Sequence, residues 1–375
     1  MRIKSLRLFG FIALAAGAVH GQTQPPTTGA QYWSTTAPTC GGYGYDTSGN
    51  VASIYNLYGP VNITNSSGAI IGYSCQVAGT FPWFAVGGMW GTSIRVAAPA
   101  SGAIGVDYTF YDTNGNLLPL DNTSSLNGAA SGNEVNFALN ANQPAEVHLL
   151  GAQGNGPNYG NSLNGSVYAE FFCPDAITCA TLLPQLLYIS SLSTKPWALS
   201  APIAWDYPFS PFQPSGTSAQ WSAEGIDDGG TNTVSLAIYN QSTTPTIFTV
   251  WVFDSTGRLA GQGTTSPIAG FNGVTGEGGT YGALLFQSGN TPGIIASAPP
   301  PGVFKILIDG GSNLSSATVL QFNGKSATSL QVASDSSPST SSVAASSITT
   351  SAVGANTGSQ RVFSAPKRVF RTLPR

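Results

Sequence analysis

An all-β fold is predicted, with two tandem Ig-like or jelly-roll β-sandwich domains and a disordered Ser/Thr-rich C-terminal tail. Three observations predict it. First, the chain repeats itself: Phe84 to Leu117 aligns without a gap on Ile226 to Leu259, an offset of 142 residues, with Gly87-Gly88 on Gly229-Gly230, Ser93 on Ser235, Asp112 on Asp254, Gly115 on Gly257 and Leu117 on Leu259. A fixed-offset match means two copies of one structural unit. Second, charged residues make up 8% of the chain, against about 25% in an ordinary soluble domain, so surface helices held by ion pairs are out of reach. Third, short alternating runs end in turns. Ile104 to Tyr111 alternates around Val106, Tyr108 and Phe110, and Phe248 to Phe253 around Phe248, Val250 and Val252. Many short strands without a helical period read as a sandwich or barrel.

The elements follow in chain order. Arg2, Lys4 and Arg7 precede a twelve-residue apolar run, Leu8 to Val19, and small residues follow. That order reads as a secretory signal peptide over residues 1–21, with cleavage after Gly21 favoured over cleavage after Ala18, and the run is too short to span a bilayer. Residues 22–39, rich in Thr, Pro and Gln, read as a flexible leader. A first β-sandwich domain with extra strands at its N-terminal side is expected over 40–206. Pro208, Pro211 and Pro214 mark a linker over 207–218, since prolines at that density break helix and sheet alike. A second β-sandwich is expected over 219–332, and a Ser/Thr-rich linker with a basic tail over 333–375. The turns Asp112-Thr-Asn-Gly-Asn, Asp254-Ser-Thr-Gly-Arg and Asp46-Thr-Ser-Gly-Asn share one chemistry: the first Asp bonds its own backbone two residues on, and the Gly takes positive φ. Val167 to Phe172 and Val303 to Ile308 read as equivalent later strands.

An even cysteine count behind an export signal reads as disulfides. Four cysteines allow three connectivities, and the pairing expected is Cys40–Cys75 with Cys173–Cys179, the latter closing a short loop in which Pro174 favours a turn. A zinc site is the alternative; the spacing is not Cys-x2-Cys and no histidine lies nearby. The expected localisation is secreted, periplasmic or cell-surface. Between Gln22 and Gln360 only Arg95, Lys195, Arg258, Lys305 and Lys325 face sixteen acids, a net charge of −11. An acidic body argues against nucleic acid, whose phosphates require clustered cations. No segment after the first is apolar for long enough to cross a membrane as a helix.

The run Phe84-Ala-Val-Gly-Gly-Met-Trp-Gly-Thr-Ser-Ile, followed by Phe110-Tyr-Asp-Thr-Asn-Gly-Asn-Leu, resembles a repeat in exported bacterial proteins of unknown function, a Gly-Gly-x-Trp-x-Thr start leading to a Phe-x-Asp-x-x-Gly-x-Leu hairpin. The second copy departs from it, with Asn232 at the Trp90 position. The resemblance covers about a third of the chain and implies a secreted Ig-like sandwich; it implies no activity, because a shared sandwich does not transmit function.

The chemistry in the sequence is sparse. With the signal removed one histidine remains, His148, and no Gly-x-Ser-x-Gly elbow accompanies it; it reads as a partly exposed strand residue rather than a triad base. Glu134, Glu146, Glu170, Glu224 and Glu277 are candidates for a carboxylate pair of the kind that cleaves glycosides. Asp227-Asp228-Gly-Gly-Thr-Asn and Asp112-Thr-Asn-Gly-Asn cluster oxygens, but true calcium loops space their ligands alternately, so turns are the better account. No metal, cofactor or catalytic residue is assigned. Trp83, Trp90, Trp197, Trp205 and Trp221 are candidate ligand-binding aromatics, against the reading that they fill the core and the domain junction; Trp251, inside a strand, is expected in the core. The tail repeats Val-Phe beside cations and could touch an anionic envelope surface, against a frayed terminus. The reading is a secreted, non-enzymatic protein for adhesion, envelope structure or ligand binding, with a glycan or the cell envelope as candidate partner. The alternatives are a carbohydrate-binding module and a glycan-active enzyme using a carboxylate pair.

Overall fold

A computed structural model describes residues 25–45, 51–56, 58–86, 90–118, 124–125, 134–149, 163–190, 197–205, 220–228, 233–270, 278–287, 291–295, 302–311, 315–322, 327–330 and 333–334. The signal segment, the Pro-rich linker, the Asp46 turn and the tail from residue 335 lie outside the described residues. Those described all belong to one compact unit, Met1–Asp335.

The chain is built of antiparallel strands. The first half runs β1 (Gly41–Tyr45), β2 (Val51–Asn56), β3 (Tyr58–Thr64), β4 (Ile70–Val86), β5 (Trp90–Ala97), β6 (Ile104–Asp112), β7 (Ser124–Ser125), β8 (Glu134–Leu139), β9 (Pro144–Leu149), β10 (Leu163–Cys173), the short helix α1 (Ala176–Ala180), β11 (Gln185–Ser190), β12 (Trp197–Pro202) and β13 (Ala204–Trp205). The second runs β14 (Gln220–Asp228), β15 (Thr233–Asn240), β16 (Thr249–Asp254), β17 (Leu259–Thr264), β18 (Thr280–Gln287), β19 (Thr291–Pro292), β20 (Gly302–Asp309), β21 (Ser315–Phe322), β22 (Ala327–Leu330) and β23 (Ala333–Ser334). The last of these lies just beyond the expected domain end at 332.

The repetition in the sequence is a repetition of topology. One sheet of the first half has the order β13-β4-β10-β6-β8 and its counterpart β23-β14-β20-β16-β17; the other has the order β12-β11-β5-β9-β7 and its counterpart β22-β21-β15-β18-β19. The strands Val167–Phe172 and Val303–Ile308 lie in β10 and β20, which hold the same central place. Tyr111 pairs with Leu117, and Phe253 pairs with Leu259, the residues 142 positions on. The first half adds strands on its N-terminal side, with β3 paired to β4 and a separate β1–β2 hairpin.

Each half has a core between its two sheets. Val106, Tyr108 and Phe110 of β6 and Phe171 of β10 meet Ile94, Val147 and Leu186 of the opposed sheet, and Phe248, Val250, Val252 and Ile306 meet Leu236, Ile238 and Val319 in the second half. Period-two alternation puts these residues on one face and their neighbours on the other. Trp251 falls on the wrong side of that rule for a core residue: with Val250 and Val252 buried, it turns to the outer face and is half-buried there.

The shared turns have the geometry their sequences call for. Asp112 Oδ1 accepts from the N–H of Asn114 and Asn116, Asp254 Oδ1 from that of Thr256 and Arg258, and Gly115 and Gly257 both have φ of 80°. Asn65 builds the same turn, its Oδ1 accepting from Ser67 N and Ala69 N, with Gly68 at φ 81°. The Thr256 hydroxyl is the largest influence holding the Asp254 carboxyl down to about 2 from its ordinary 3.8. A depressed carboxyl stabilises the fold above its unfolded value and loses that contribution as pH falls through the folded one. Thr256→Ala is expected to raise the Asp254 titration midpoint toward 3.8, read from its carboxyl carbon by NMR.

Both expected disulfides are present, Cys40–Cys75 and Cys173–Cys179. The short loop is a helical turn rather than an open one: Asp175 caps α1 by accepting from Thr178 N at 2.8 Å.

The leader departs from expectation. Within 22–39, residues 25–39 pack on the outer face of the β4–β10–β6 sheet instead of running loose. Tyr32 is fully buried with Ile63 and Phe172, its hydroxyl donates to Pro25 O at 2.8 Å, and Ser34 pairs with Tyr73. Two glycines make the room. A Cβ on Gly105 would sit 2.9 Å from Tyr32 Cε2, and one on Gly72 would overlap Trp33. Two large aromatics laid on side-chain-free strand positions bury enough apolar surface to seat a segment whose composition reads as coil.

Candidate functional site

Two polar groupings stand out in a chain this poor in charge. The first lies on the outer face of the β11–β5–β9 sheet. Ile94 and Val147 point into the core, so Ser93 and Arg95 of β5 and Glu146 and His148 of β9 share the opposite face, Ser93 directly across from His148 and Arg95 from Glu146. Arg95 Nε lies 2.8 Å from Glu146 Oε2, Ser93 Oγ donates to Glu146 Oε1, and His148 Nδ1 lies 3.6 Å from that oxygen. Partial burial alone would raise the Glu146 carboxyl; the Arg95 and Ser93 hydrogen bonds and the nearby His148 outweigh it and leave the carboxyl lowered. The serine hydroxyl is directed to the carboxylate, so the imidazole does not stand between nucleophile and acid as a hydrolytic triad requires. His148 is the partly exposed strand residue its sequence context suggests.

The second grouping is on the outer face of the other sheet, beside the seated N-terminal segment. Glu170 of β10 lies directly across from Asp107 of β6, and Glu134 of β8 hydrogen-bonds Asp107. Gln76 donates to Glu170 Oε1. Asp107 is 2% exposed and Glu170 7%. Burial raises the Glu134 carboxyl, and a hydrogen bond between two carboxyl groups needs one proton between them. Burial pushes the Tyr32 hydroxyl up as well, and the Asp107 charge adds to it. A carboxyl raised by folding destabilises once the unfolded chain ionises ahead of it, so the Glu134 contribution to stability falls as pH climbs past 4.5. Glu134→Gln is expected to flatten that fall, measured as the difference in urea midpoint between acid and neutral pH.

Of the five candidate acids, Glu134 and Glu170 are thus brought together, through an Asp107 that the sequence reading did not single out. Glu146 sits on the other sheet with Arg95. Glu224 lies in β14 with its side chain outside the described residues, as Glu277 is altogether. Asp107 carried one signal in the sequence, an acid at the outward phase between Val106 and Tyr108, but only strand register shows that it meets Glu170.

The tryptophans divide. Trp205 is 3% exposed and stacks edge-to-face on Phe171 at 5.7 Å, so it offers no face to a sugar; it was a candidate ligand-binding aromatic and is a core residue. Trp83 lies against the second half: a Cβ on Gly282 would sit 2.6 Å from its indole Cε2. It belongs to the junction. The side chains of Trp90, Trp197 and Trp221 lie outside the described residues. Among the described residues no group of three or more His, Cys, Asp or Glu could hold a metal, and the Asp112 carboxylate is engaged by its own turn. No helix among them is long and apolar enough to cross a membrane.

No protein-family model matches the chain, and neither a curated protein nor a solved structure matches it.

Proposed function

We propose that the chain is an exported, non-enzymatic protein of two Ig-like sandwiches whose work is adhesion or envelope structure, done by sheet surfaces rather than by a reactive centre. One observation carries this reading: among the described residues, the carboxylates that could have formed a hydrolytic pair are committed to structure. Asp107 and Glu170 are covered and hydrogen-bonded, and Glu146 is neutralised by Arg95. Two disulfides and the N-terminal charge–apolar–small order support export.

The mature chain from Gln22, presented to cell-envelope fractions and to a glycan array, is expected to bind the envelope and release no reducing ends from polysaccharides. Hydrolysis abolished by Asp107→Asn or Glu170→Gln would overturn the reading in favour of a glycan-active enzyme acting once the N-terminal segment lifts. Binding confined to one glycan class, and lost on replacing Trp90, Trp197 or Trp221, would favour the carbohydrate-binding module.

A further inference from the structure

The N-terminal segment is held at two places and open between them. Pro25, Ala30 and Tyr32 are buried on the sheet, and Ser34 and Tyr73 exchange two backbone hydrogen bonds, each of 2.8 Å. Beyond Ser34 the chain lifts away: Thr35, Thr36, Ala37 and Thr39 are exposed. It returns at Cys40, which is tied to Cys75 of β4. That disulfide is a pivot. It keeps the segment beside the sheet whether or not Tyr32 is in its seat.

The seat adjoins the covered carboxyls. Pro25 and Tyr32 both lie on Gly105, where a Cβ would be 3.0 Å from Pro25 Cγ. The next residue on that face of β6 is Asp107, whose charge acts on the Tyr32 hydroxyl. The titratable groups facing Asp107 are Glu170 from β10, Glu134 from β8 and Tyr32 from the segment; β4 contributes Gln76, which donates to Glu170. The described cations lie elsewhere, Arg95 on the opposed sheet and Arg258 and Lys305 in the second half. Among the described residues the second half lacks this whole arrangement. At the 142-residue offset Ile247 stands in place of Gly105 and Thr249 in place of Asp107. Asp309, paired with Thr249 as Glu170 is with Asp107, is what remains of the acid pair. Ile247 is 55% exposed, so that position is open. Glycine seat, acid pair and seated segment occur together in one half and are missing together from the other, as parts of one device would be.

We propose that residues 25–39 are a pH-sensitive strap, which seats on the β4–β10–β6 face in acid and lifts from it, pivoting at Cys40, as rising pH ionises the carboxyls beside its seat. The direction follows from which state lets water in. Seated, the strap withholds water from Asp107, and a carboxylate loses more by that than a carboxylic acid does. Lifted, it leaves the same group hydrated. Seating is therefore at full strength below the ordinary carboxyl range and weakens as pH rises through it, the direction in which burial also moves Glu134. Lifting uncovers Ile63 and Phe172, on which Tyr32 packs, so apolar surface that is shut in acid opens toward neutral pH. The strap goes beyond the adhesion reading and does not depend on it.

Amide hydrogen exchange on the full mature chain tests it, with each rate divided by its intrinsic value at the same pH. Protection at Ser34 and Tyr73 is expected to fall by about tenfold or more between about pH 4 and about pH 8, because each unit by which seating raises a carboxyl weakens seating tenfold once that group is ionised. Protection at Leu236, in the core of the second half, is expected to hold over the same range. D107N removes the charge nearest the seat and is expected to keep the strap down at both pH values. E134Q, at a half-buried position that tolerates exchange, is expected to shrink the pH dependence, and an unchanged circular dichroism spectrum shows that each variant is folded. Protection at Ser34 and Tyr73 that does not change with pH overturns the proposal. So does a pH dependence that survives both variants, and so does a fall at Leu236 equal to that at Ser34, which is unfolding of the whole molecule. None of these readings involves a partner, so a chain that fails to bind envelope fractions can still show the strap.

Discussion

Phe171→Ala is expected to cost about 3–5 kcal/mol of unfolding free energy, the largest effect of any single truncation in the first half. Phe171 is fully buried near the C-terminal end of β10, the central strand of its sheet, and meets Tyr108 at 6.1 Å and Trp205 at 5.7 Å, both edge-on. Truncation leaves a cavity that three strands would have to collapse to fill, and close-packed sheets relax only in part. It also removes the ring that seats Trp205. Urea unfolding followed by tryptophan fluorescence reads both effects: a lower midpoint, and a shift in native-state emission from a loosened Trp205. A loss below about 1 kcal/mol would mean that the two sheets are not packed face to face here.

Removing the Cys40–Cys75 bridge by a paired Cys→Ser replacement is expected to cost roughly 4 kcal/mol, and removing Cys173–Cys179 roughly 2 kcal/mol, on the chain-entropy account of loops of these lengths. The separations are 35 and 6 residues, and the longer loop constrains the unfolded chain more. The long bridge also ties the segment before β1 to β4, the strand on which the N-terminal residues lie. Its loss is therefore expected to raise hydrogen exchange at Tyr73 and Ser34 as well as to lower the midpoint. Equal costs for the two bridges would sink the loop-length argument and point to an effect of native packing instead.

The turns show where local sequence suffices. An Asp or Asn followed three residues later by Gly closes on itself through its own backbone, and Asp112, Asp254 and Asn65 do so alike wherever they lie. The duplication was legible from the fixed offset, but the strand pairings within each half were not. Glu146 and His148, and likewise Ser93 and Arg95, are two apart on a strand and had to share a face; that the two pairs meet across β5 and β9 needed the register. Trp251 marks the limit: alternation shows two faces but not which of them is covered, and the smaller valines took the core. The N-terminal segment marks it again, since nothing near Tyr32 announces the glycines at 72 and 105 on which the aromatics rest.

By itself the sequence determined the β class, the duplication and the recurrent turn, because each depends on period, composition or close spacing along the chain, while the disulfide pairing it made the expected one of three was decided by the structure. Tertiary structure alone decided that Asp107 meets Glu170 and Glu134, that Trp83 and Trp205 are spent on the junction and the core, and that one sheet face is covered in the first half and open in the second. Those outcomes depend on cross-strand register and on sheets docking between residues far apart in the chain, where packing summed over the whole molecule selects among partners that look alike locally.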